Sequence, residues 1–273
     1  MSYSLIHQRR STSRLTAILL LVITTGLSAQ EAKPTLKIKD YGQWESLGFS
    51  RSFSNDGNWF AYEVRRNNDK GEVRLHNLID NSNKVLAEGA RLQFSSDSKW
   101  IGYFISPTAA AQNKSKKPLR SKFRLLKLDG TDSVTVENVS TFGFSDDSQF
   151  LTMKHYSAKG KKSKGADLVV RNLKSGTEQN FGNVVEFAWQ EEGNLLAFVV
   201  DADGKAGNGI QLFNATNGTI RVLDSKSATY SGLRWRKESA DLAVYRSEKN
   251  KSYEDSTHQV LAWRGLGSKK ETA

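Results

Sequence analysis

Residues that commonly perform chemistry are sparse in this chain of 273 residues. Its four histidines, His7, His76, His155 and His258, are far apart, and none has a partner at the spacing of a metal site. The sequence contains no Gly-X-Ser-X-Gly nucleophile elbow, no His-Glu-X-X-His zinc helix and no cysteine. We therefore predict no catalytic, metal-binding or cofactor-binding residue in this chain, and no enzymatic activity of its own.

Two acidic segments could suggest calcium, because carboxylate oxygens are the ligands that this ion prefers. They are Asp146-Asp147 and Asp201-Ala202-Asp203-Gly204. Asp and Gly also favour tight turns, since Asp accepts hydrogen bonds from its own backbone and Gly adopts positive φ without steric cost. We favour turns at both segments, and calcium is the alternative.

The net charge is +11, and two lysine- and arginine-rich segments supply much of it. The first comprises Lys114, Lys116, Lys117, Arg120, Lys122 and Arg124, and the second comprises Lys159, Lys161, Lys162 and Lys164. Such segments could contact nucleic acid or another anionic surface. Because they lack interleaved aromatic residues, we favour solvated loops and predict no nucleic-acid partner. The sequence leaves the role of these loops open.

A stretch of ten residues occurs five times along the chain. The first copy is Phe53-Ser54-Asn55-Asp56-Gly57-Asn58-Trp59-Phe60-Ala61-Tyr62, and the others span 94–103, 144–153, 189–198 and 235–244. The leading aromatic residues Phe53, Phe94, Phe144, Trp189 and Trp235 are 41, 50, 45 and 46 residues apart. Repeats of this length that are built from short strands indicate propeller blades.

Each copy predicts an aromatic residue that closes a strand, a polar turn, and a second strand with an apolar–small–apolar triplet such as Phe60-Ala61-Tyr62. The small middle residue of the triplet suits a sheet face that a neighbouring sheet approaches closely. The two apolar residues on either side of it share the opposite face, because side chains alternate along a strand. Two further strands follow, which makes about four strands per repeat. We predict an all-β fold, a β-propeller of about five four-stranded blades, the last one incomplete, in an open or partial ring. An ordinary β-sandwich is the alternative.

The predicted domain organisation follows from these repeats. It consists of a signal peptide at 1–29, a lead-in at 30–46, blades at about 47–89, 90–138, 139–183, 184–230 and 231–266, and a polar tail at 267–273. The first 29 residues place Arg9, Arg10 and Arg14 before an apolar run and small residues, which predicts a secretory signal. We expect cleavage after Ala29, export to the periplasm or the exterior, and no stable membrane span afterwards. An uncleaved anchor is the alternative.

The lead-in Asp40-Tyr41-Gly42-Gln43-Trp44-Glu45-Ser46-Leu47 runs directly into the first repeat. With its Tyr-X-X-Trp stretch followed by a Ser-X-Asp-Gly-X-Trp-X-Ala-Tyr turn, the chain resembles bacterial exported serine peptidases of the prolyl oligopeptidase family. Residues 165–173 and the Gly-rich run at 201–209 extend this resemblance, which covers about 36–266.

The resemblance implies an N-terminal propeller that would cap an α/β-hydrolase domain and restrict peptide access to its Ser-Asp-His triad. No position of this chain matches the nucleophile elbow, so no catalytic residue is carried over. We expect the chain to be a fragment, namely the non-catalytic propeller portion of such a peptidase. Its partner would be the missing C-terminal hydrolase domain, and the full-length protein would act on peptide substrates. The alternative is a free-standing exported propeller that serves as a protein- or peptide-binding scaffold.

Overall fold

The computed structural model describes residues 35–160, 162–250, 252 and 254–273. The predicted signal peptide, the first five residues of the lead-in (30–34) and Lys161 of the second basic segment therefore lie outside the described residues. The chain divides into two compact units, Met1–Gln43 and Trp44–Ala273. In the described part of the first unit, helix α1 (Ile38–Tyr41) begins where the Lys37 N–H donates to the Asp40 carboxylate at 2.8 Å. No helix within the described ranges combines the length and the hydropathy that crossing a bilayer requires.

The second unit is built almost entirely from strands. They are β1 (Glu45–Phe53), β2 (Trp59–Arg66), β3 (Gly71–Asn77), β4 (Asn83–Ala87), β5 (Gly89–Phe94), β6 (Trp100–Ile105), β7 (Lys122–Lys127), β8 (Ser133–Val136), β9 (Val139–Phe144), β10 (Phe150–His155), β11 (Ala166–Asn172), β12 (Glu178–Trp189), β13 (Leu195–Val200), β14 (Gly209–Asn214), β15 (Thr219–Ser225), β16 (Thr229–Trp235), β17 (Leu242–Lys249) and β18 (Ser256–Trp263). Helix α2 (Ala109–Lys114) and a short 3₁₀ turn (Asp203–Lys205) interrupt them.

The strands form successive antiparallel meanders, in which each strand pairs with the next one along the chain. Blade 1 is β1–β4, blade 2 is β5–β8, blade 3 runs from β9 to the first half of β12, blade 4 runs from the second half of β12 to β15, and blade 5 is β16–β18. This confirms the predicted all-β fold of propeller blades, and the three strands of blade 5 agree with an incomplete last blade. The five leading aromatic residues are the last residues of β1, β5, β9, β12 and β16, as the repeat predicts.

Blades 3 and 4 share a strand, which the repeat does not predict. Strand β12 pairs with β11 through Glu178 to Val184 and with β13 through Val184 to Trp189, so that the two blades join into one sheet of seven strands. A register shift between Val184 and Glu186, next to Asn183 at φ 58°, lies where the pairing changes from one blade to the other. A bulge of this kind bends a strand without ending it.

Four apolar clusters hold the second unit together, and each lies between two consecutive blades. They contain Ala61 and Ile101 between blades 1 and 2, Phe123 and Leu151 between blades 2 and 3, Phe181 and Phe198 between blades 3 and 4, and Ile210 and Leu242 between blades 4 and 5. Interior blades therefore bury both faces. Among the described residues no such cluster joins blade 5 to blade 1, which agrees with an open ring.

The outer face of blade 1 carries a ladder of aromatic side chains. The ring centroids of Phe53 and Phe60 are 4.5 Å apart, those of Phe60 and Tyr62 are 5.4 Å apart, and those of Tyr62 and His76 are 5.5 Å apart. Further along β1, Phe49 is 88% exposed. The outer face of blade 1 is therefore lined by aromatic side chains although it is partly exposed.

The small middle residue of the triplet is a packing requirement in blade 2. A Cβ atom added to Gly102 would lie 2.7 Å from the Phe142 ring of blade 3 and 3.1 Å from the Phe123 ring. Real Cβ atoms do not approach other atoms so closely, so a side chain here would push the two blades apart. Ala61 and Ala197 occupy the same position in blades 1 and 4 and are fully buried.

We predict that Gly102→Ala lowers the free energy of unfolding by about 1–3 kcal/mol, because it overpacks the interface of blades 2 and 3. The matched control is Gly182→Ala, also within a strand, where an added Cβ meets nothing within 4 Å. That control should be neutral or slightly stabilising, since Ala restricts the unfolded chain. Urea unfolding of both variants checks this, and equal midpoints would contradict the packing argument.

The polar turn of the repeat is a hydrogen-bonded unit. The Ser54 hydroxyl donates to the Asp56 carboxylate at 2.5 Å and accepts the Trp59 N–H at 3.0 Å, and Asp56 in turn accepts the Asn58 N–H at 3.1 Å. The Ser54 hydrogen bond helps hold the pKa of Asp56 below its ordinary value. The same bonds recur in blade 2, from Ser95 to Asp97, and in blade 3, from Ser145 to Asp147.

These turns also connect neighbouring blades. The Asp56 N–H donates to the Ser98 hydroxyl at 3.1 Å, and the Asp97 N–H donates to the Ser148 hydroxyl at 2.9 Å. Ser98 and Ser148 have φ of 55° and 56°, where Gly57 stands in the first copy with φ 72°. The fifth residue of the turn therefore has two roles, a left-handed backbone and a bond to the preceding blade.

Tryptophan makes the connection between later blades. Trp189 Nε1 donates to the Thr152 hydroxyl of blade 3 at 2.8 Å, and Trp235 Nε1 donates to the Ala188 carbonyl of blade 4 at 2.9 Å. Leading tryptophans thus contribute both apolar area and a hydrogen bond to the preceding blade.

We predict that Ser98→Ala lowers the free energy of unfolding by about 1 kcal/mol, because the Asp56 N–H loses its partner in blade 2. The control is Ser96→Ala in the same turn, whose exposed side chain makes no such bond to blade 1 and should change stability by less than about 0.5 kcal/mol. Chemical denaturation of the two variants and the parent checks this. If Ser96→Ala lowered stability as much as Ser98→Ala, the role assigned to the bond between the Asp56 N–H and the Ser98 hydroxyl would be contradicted.

Candidate binding cleft

The meander topology sorts the connections of the blades onto two ends. We call the end that carries the five repeated polar turns the turn end. The opposite end carries the loops that join the second and third strands of each blade, at 67–70, 106–121, 156–165, 201–208 and 250–255, together with the links between blades. We call it the loop end. Both basic segments extend into it.

Loop A, residues 106–121 of blade 2, is closed on itself by hydrogen bonds. Its helix α2 begins where the Ala111 N–H donates to the Thr108 hydroxyl at 3.1 Å. The Gln112 side-chain oxygen accepts the Leu119 N–H at 2.9 Å, and its amide donates to the Lys117 carbonyl at 3.3 Å. Loop A is therefore an ordered element with its own internal bonds.

Loop B, residues 156–165 of blade 3, is fastened to the adjacent loop of blade 4. The Ser163 N–H donates to the Asp203 carboxylate at 2.8 Å, and the Lys164 N–H donates to Asp201 at 3.3 Å. Asp201 also accepts from the buried Asn208 side chain at 2.9 Å. These two aspartates thus accept backbone N–H groups of the adjacent loop rather than of their own turn. No three Asp, Glu or His side chains in the described ranges come close enough together to hold a metal ion, and the choice between a turn and calcium stays a prediction.

Arg120 connects loop A to loop B. Its guanidinium donates to the Ser157 carbonyl at 3.1 Å, and its Cζ atom lies 4.9 Å from the centroid of the Tyr156 ring. One side chain of the first basic segment therefore contacts the backbone and an aromatic ring beside the second segment.

A cleft with a volume of about 700 Å³ lies between the two loops. Its apolar lining comes from Ile105, Pro107, Ala111, Pro118, Leu119 and Ala158, and its polar and charged lining from Ser106, Lys117, Arg120, Lys122, Glu137, Asn138 and Lys159. The volume lies in the usual range for ligand sites, and the lining is mixed, with six apolar and seven polar or charged residues.

The charge of the cleft is strongly positive. Lys122 pairs with Glu137 at 2.8 Å, and that carboxylate is the one acidic group among the lining residues. Lys117, Arg120 and Lys159 have no carboxylate within 4.0 Å in the described part of the chain. Three cations of this cleft therefore have no ion-pair partner among the described residues.

A second cavity of about 350 Å³ adjoins blade 1 and shares Ser106 and Pro107 with the first. One wall contains Glu63, which is 3% exposed. One of its carboxylate oxygens accepts from Arg65 at 2.8 Å, while the other has no partner in the described structure. A Cβ atom at Gly48 would lie 2.6 Å from the Glu63 side chain, so only glycine fits at that point of β1.

The histidines do not come together in the described residues. His76 stacks on Tyr62 in blade 1, His155 is the last residue of β10, and His258 is exposed on β18. His7 lies outside the described residues. The prediction of no catalytic, metal or cofactor residue stays a prediction.

Sequence reasoning did not find the cleft. It treated the two basic segments as separate solvated loops, whereas they flank one cavity. A usable signal was present, because both segments follow the second strand of consecutive repeats, and equivalent loops of consecutive blades lie next to one another.

No protein-family model matches this sequence, and it has no match among curated proteins. Among solved structures, the β-propeller domain of the Trilobed protease from Pyrococcus furiosus, which has an open velcro topology, aligns with a TM-score of 0.49 and 12% identity over 83% of this chain and 70% of that one. A prolyl endopeptidase aligns with a TM-score of 0.49 and 12% identity over 92% of this chain and 40% of that one. A eukaryotic initiation factor aligns with a TM-score of 0.47 and 13% identity over 81% and 53%.

The structural neighbours of this chain thus include propeller domains of prolyl oligopeptidase-family peptidases, the family that the sequence resembles. The chain spans less than half the length of the prolyl endopeptidase, and the catalytic domain of these peptidases lies outside the aligned part. At such identities and TM-scores the likeness concerns the fold alone.

We predict that Arg120→Gln speeds amide hydrogen exchange in residues 156–160 by about fivefold, because loop B loses a hydrogen bond and a cation–π contact worth about 1 kcal/mol together. The control is Lys122→Gln, which removes a cation that pairs with Glu137 rather than with loop B. Hydrogen exchange followed by mass spectrometry resolves the two loops. Unchanged exchange in loop B would show that Arg120 does not hold it.

Proposed function

We propose that this chain is the non-catalytic propeller portion of a prolyl oligopeptidase-like serine peptidase, and that the propeller controls which peptides reach a hydrolase domain. The observation that carries the proposal is the Tyr41–Trp44 lead-in followed directly by five blade repeats in one order. Because the first 29 residues have the features of a secretory signal, we further propose that the protein acts outside the cytoplasm.

Two properties of the described unit support a gating role. Its blades are packed face to face and hydrogen-bonded at their turns, which suits a rigid barrier. Its loop end has cavities of about 700 and 350 Å³, which accommodate a few side chains of an extended peptide and are far too small for a folded domain. Under this proposal the propeller would admit short or unstructured chains to the hydrolase domain and exclude compact ones.

The hydrolytic chemistry belongs to a different domain under this proposal. Acyl transfer by a serine needs a nucleophile, a base that accepts its proton, and donors for the oxyanion. The sequence offers no Gly-X-Ser-X-Gly elbow, so these groups would come from the hydrolase domain that we propose as the partner of this chain.

We predict that the chain alone neither hydrolyses proline-containing fluorogenic peptides above background nor is labelled by a serine-reactive phosphonate probe. If the reading frame is extended downstream, the longer product should contain Gly-X-Ser-X-Gly, take up the probe at that serine and cleave short peptides. Peptide-mapping mass spectrometry locates the labelled residue.

The gating step has its own control. In the longer product, Ser98→Ala should raise cleavage of large or folded substrates relative to short peptides, whereas Ser96→Ala should leave that ratio unchanged. Turnover by the chain alone that a serine-reactive inhibitor abolishes would refute the non-catalytic assignment. A ratio insensitive to Ser98→Ala, despite lowered stability, would refute gating by the blades.

A further inference from the structure

The cleft between loops A and B combines an apolar lining with cations that have no acidic partner among the described residues. We propose that this cleft binds acidic peptides, in which an apolar side chain enters the cavity and neighbouring carboxylates meet the cations of its lining. This goes beyond the proposed gating role, because it concerns a ligand site on the propeller itself, whether or not a hydrolase domain is attached.

The cations lie at separate points around the cavity. Lys117 is in loop A and Lys159 is in loop B, while Arg120 spans the two loops through the Ser157 carbonyl and the Tyr156 ring. The contacts of Arg120 fix its position, yet they neutralise none of its charge, because a carbonyl and a ring are not anions. Arg120 as a whole is half-buried, and a carboxylate is the group that its planar donors match best.

The apolar lining points to a chain with side chains rather than to a small inorganic anion. Ile105 and Pro107, which are half-buried, and Leu119, which is 42% exposed, line the cavity. A free phosphate or sulfate ion would make no favourable contact with these apolar side chains. Burial of an apolar side chain there would be favourable. The volume of about 700 Å³ exceeds what one small ion needs and falls in the usual range for ligand sites.

A peptide also fits better than a membrane surface. Proteins that lie on anionic membranes place apolar side chains on a protruding face that enters the lipid. Here the apolar residues and the cations together line a concavity between two loops. This arrangement suits a ligand that enters the protein.

The test is titration of the full chain against a fluorescein-labelled peptide, Asp-Leu-Glu-Leu-Asp, followed by fluorescence anisotropy. The matched peptide, Asn-Leu-Gln-Leu-Asn, keeps the size and the leucines and removes the charge. We expect saturable binding of the acidic peptide, at least about tenfold weaker binding of the amide peptide, and loss of affinity as salt rises, because exposed charges are screened.

Two double variants locate the site. Lys117→Gln/Lys159→Gln should weaken binding of the acidic peptide about fivefold, the effect of losing two exposed ion pairs. The control is Lys174→Gln/Lys237→Gln, which removes the same number of positive charges at the turn end. It should leave the affinity for the acidic peptide unchanged. Neither pair contributes to a blade core, and the unfolding midpoint of each variant checks that it is folded.

Three results would overturn the proposal. They are equal affinity for the acidic and amide peptides, equal loss of affinity in the two double variants, and binding to vesicles containing anionic phospholipid in place of either peptide. The last result would assign the cations to a membrane surface. Because all arms use the chain without a hydrolase domain, they succeed or fail independently of the peptidase assignment.

Discussion

The structure depends on one constraint, which is that each interior blade has two apolar faces and only its neighbours can cover them. The four apolar clusters all lie between blades and contain fully buried residues from both sides, such as Phe123 facing Leu151. Sheets packed this closely require small residues at the contact, which is why Gly102 stands where the Phe142 ring approaches. The same constraint leaves the outer face of blade 1 with exposed aromatic residues, because the described structure contains no blade to cover it.

Blade packing also decides where a binding site can form. Consecutive blades lie side by side in one orientation, so equivalent loops become neighbours even when 50 residues of sequence separate the repeats. Loops A and B meet in this way, and Arg120 joins them. A rigid set of blades that positions variable loops is a common basis for recognition, and here the charge and lining of one loop pair define the ligand.

Much of the fold was predictable from the sequence, because the features that specify it are local. Aromatic residues such as Phe94 close strands, the Ser95 and Asp97 side chains close a turn, and these bonds span two to five residues. The shared strand β12 was not predictable in this way, since its bulge near Val184 depends on pairing with two different blades. The cleft was missed because lysine and arginine side chains have no periodicity that reports which loops they face.

The sequence by itself thus determined the strands, the turns, the number of blades and the lack of a nucleophile elbow, because each follows from short-range residue order. Only the tertiary structure decided that Ser98 and Ser148 bind the preceding blade and that Lys117, Arg120 and Lys159 surround one cavity. The physical reason is that these contacts arise between repeats, where the distance is set by the packing of apolar faces and not by separation along the chain.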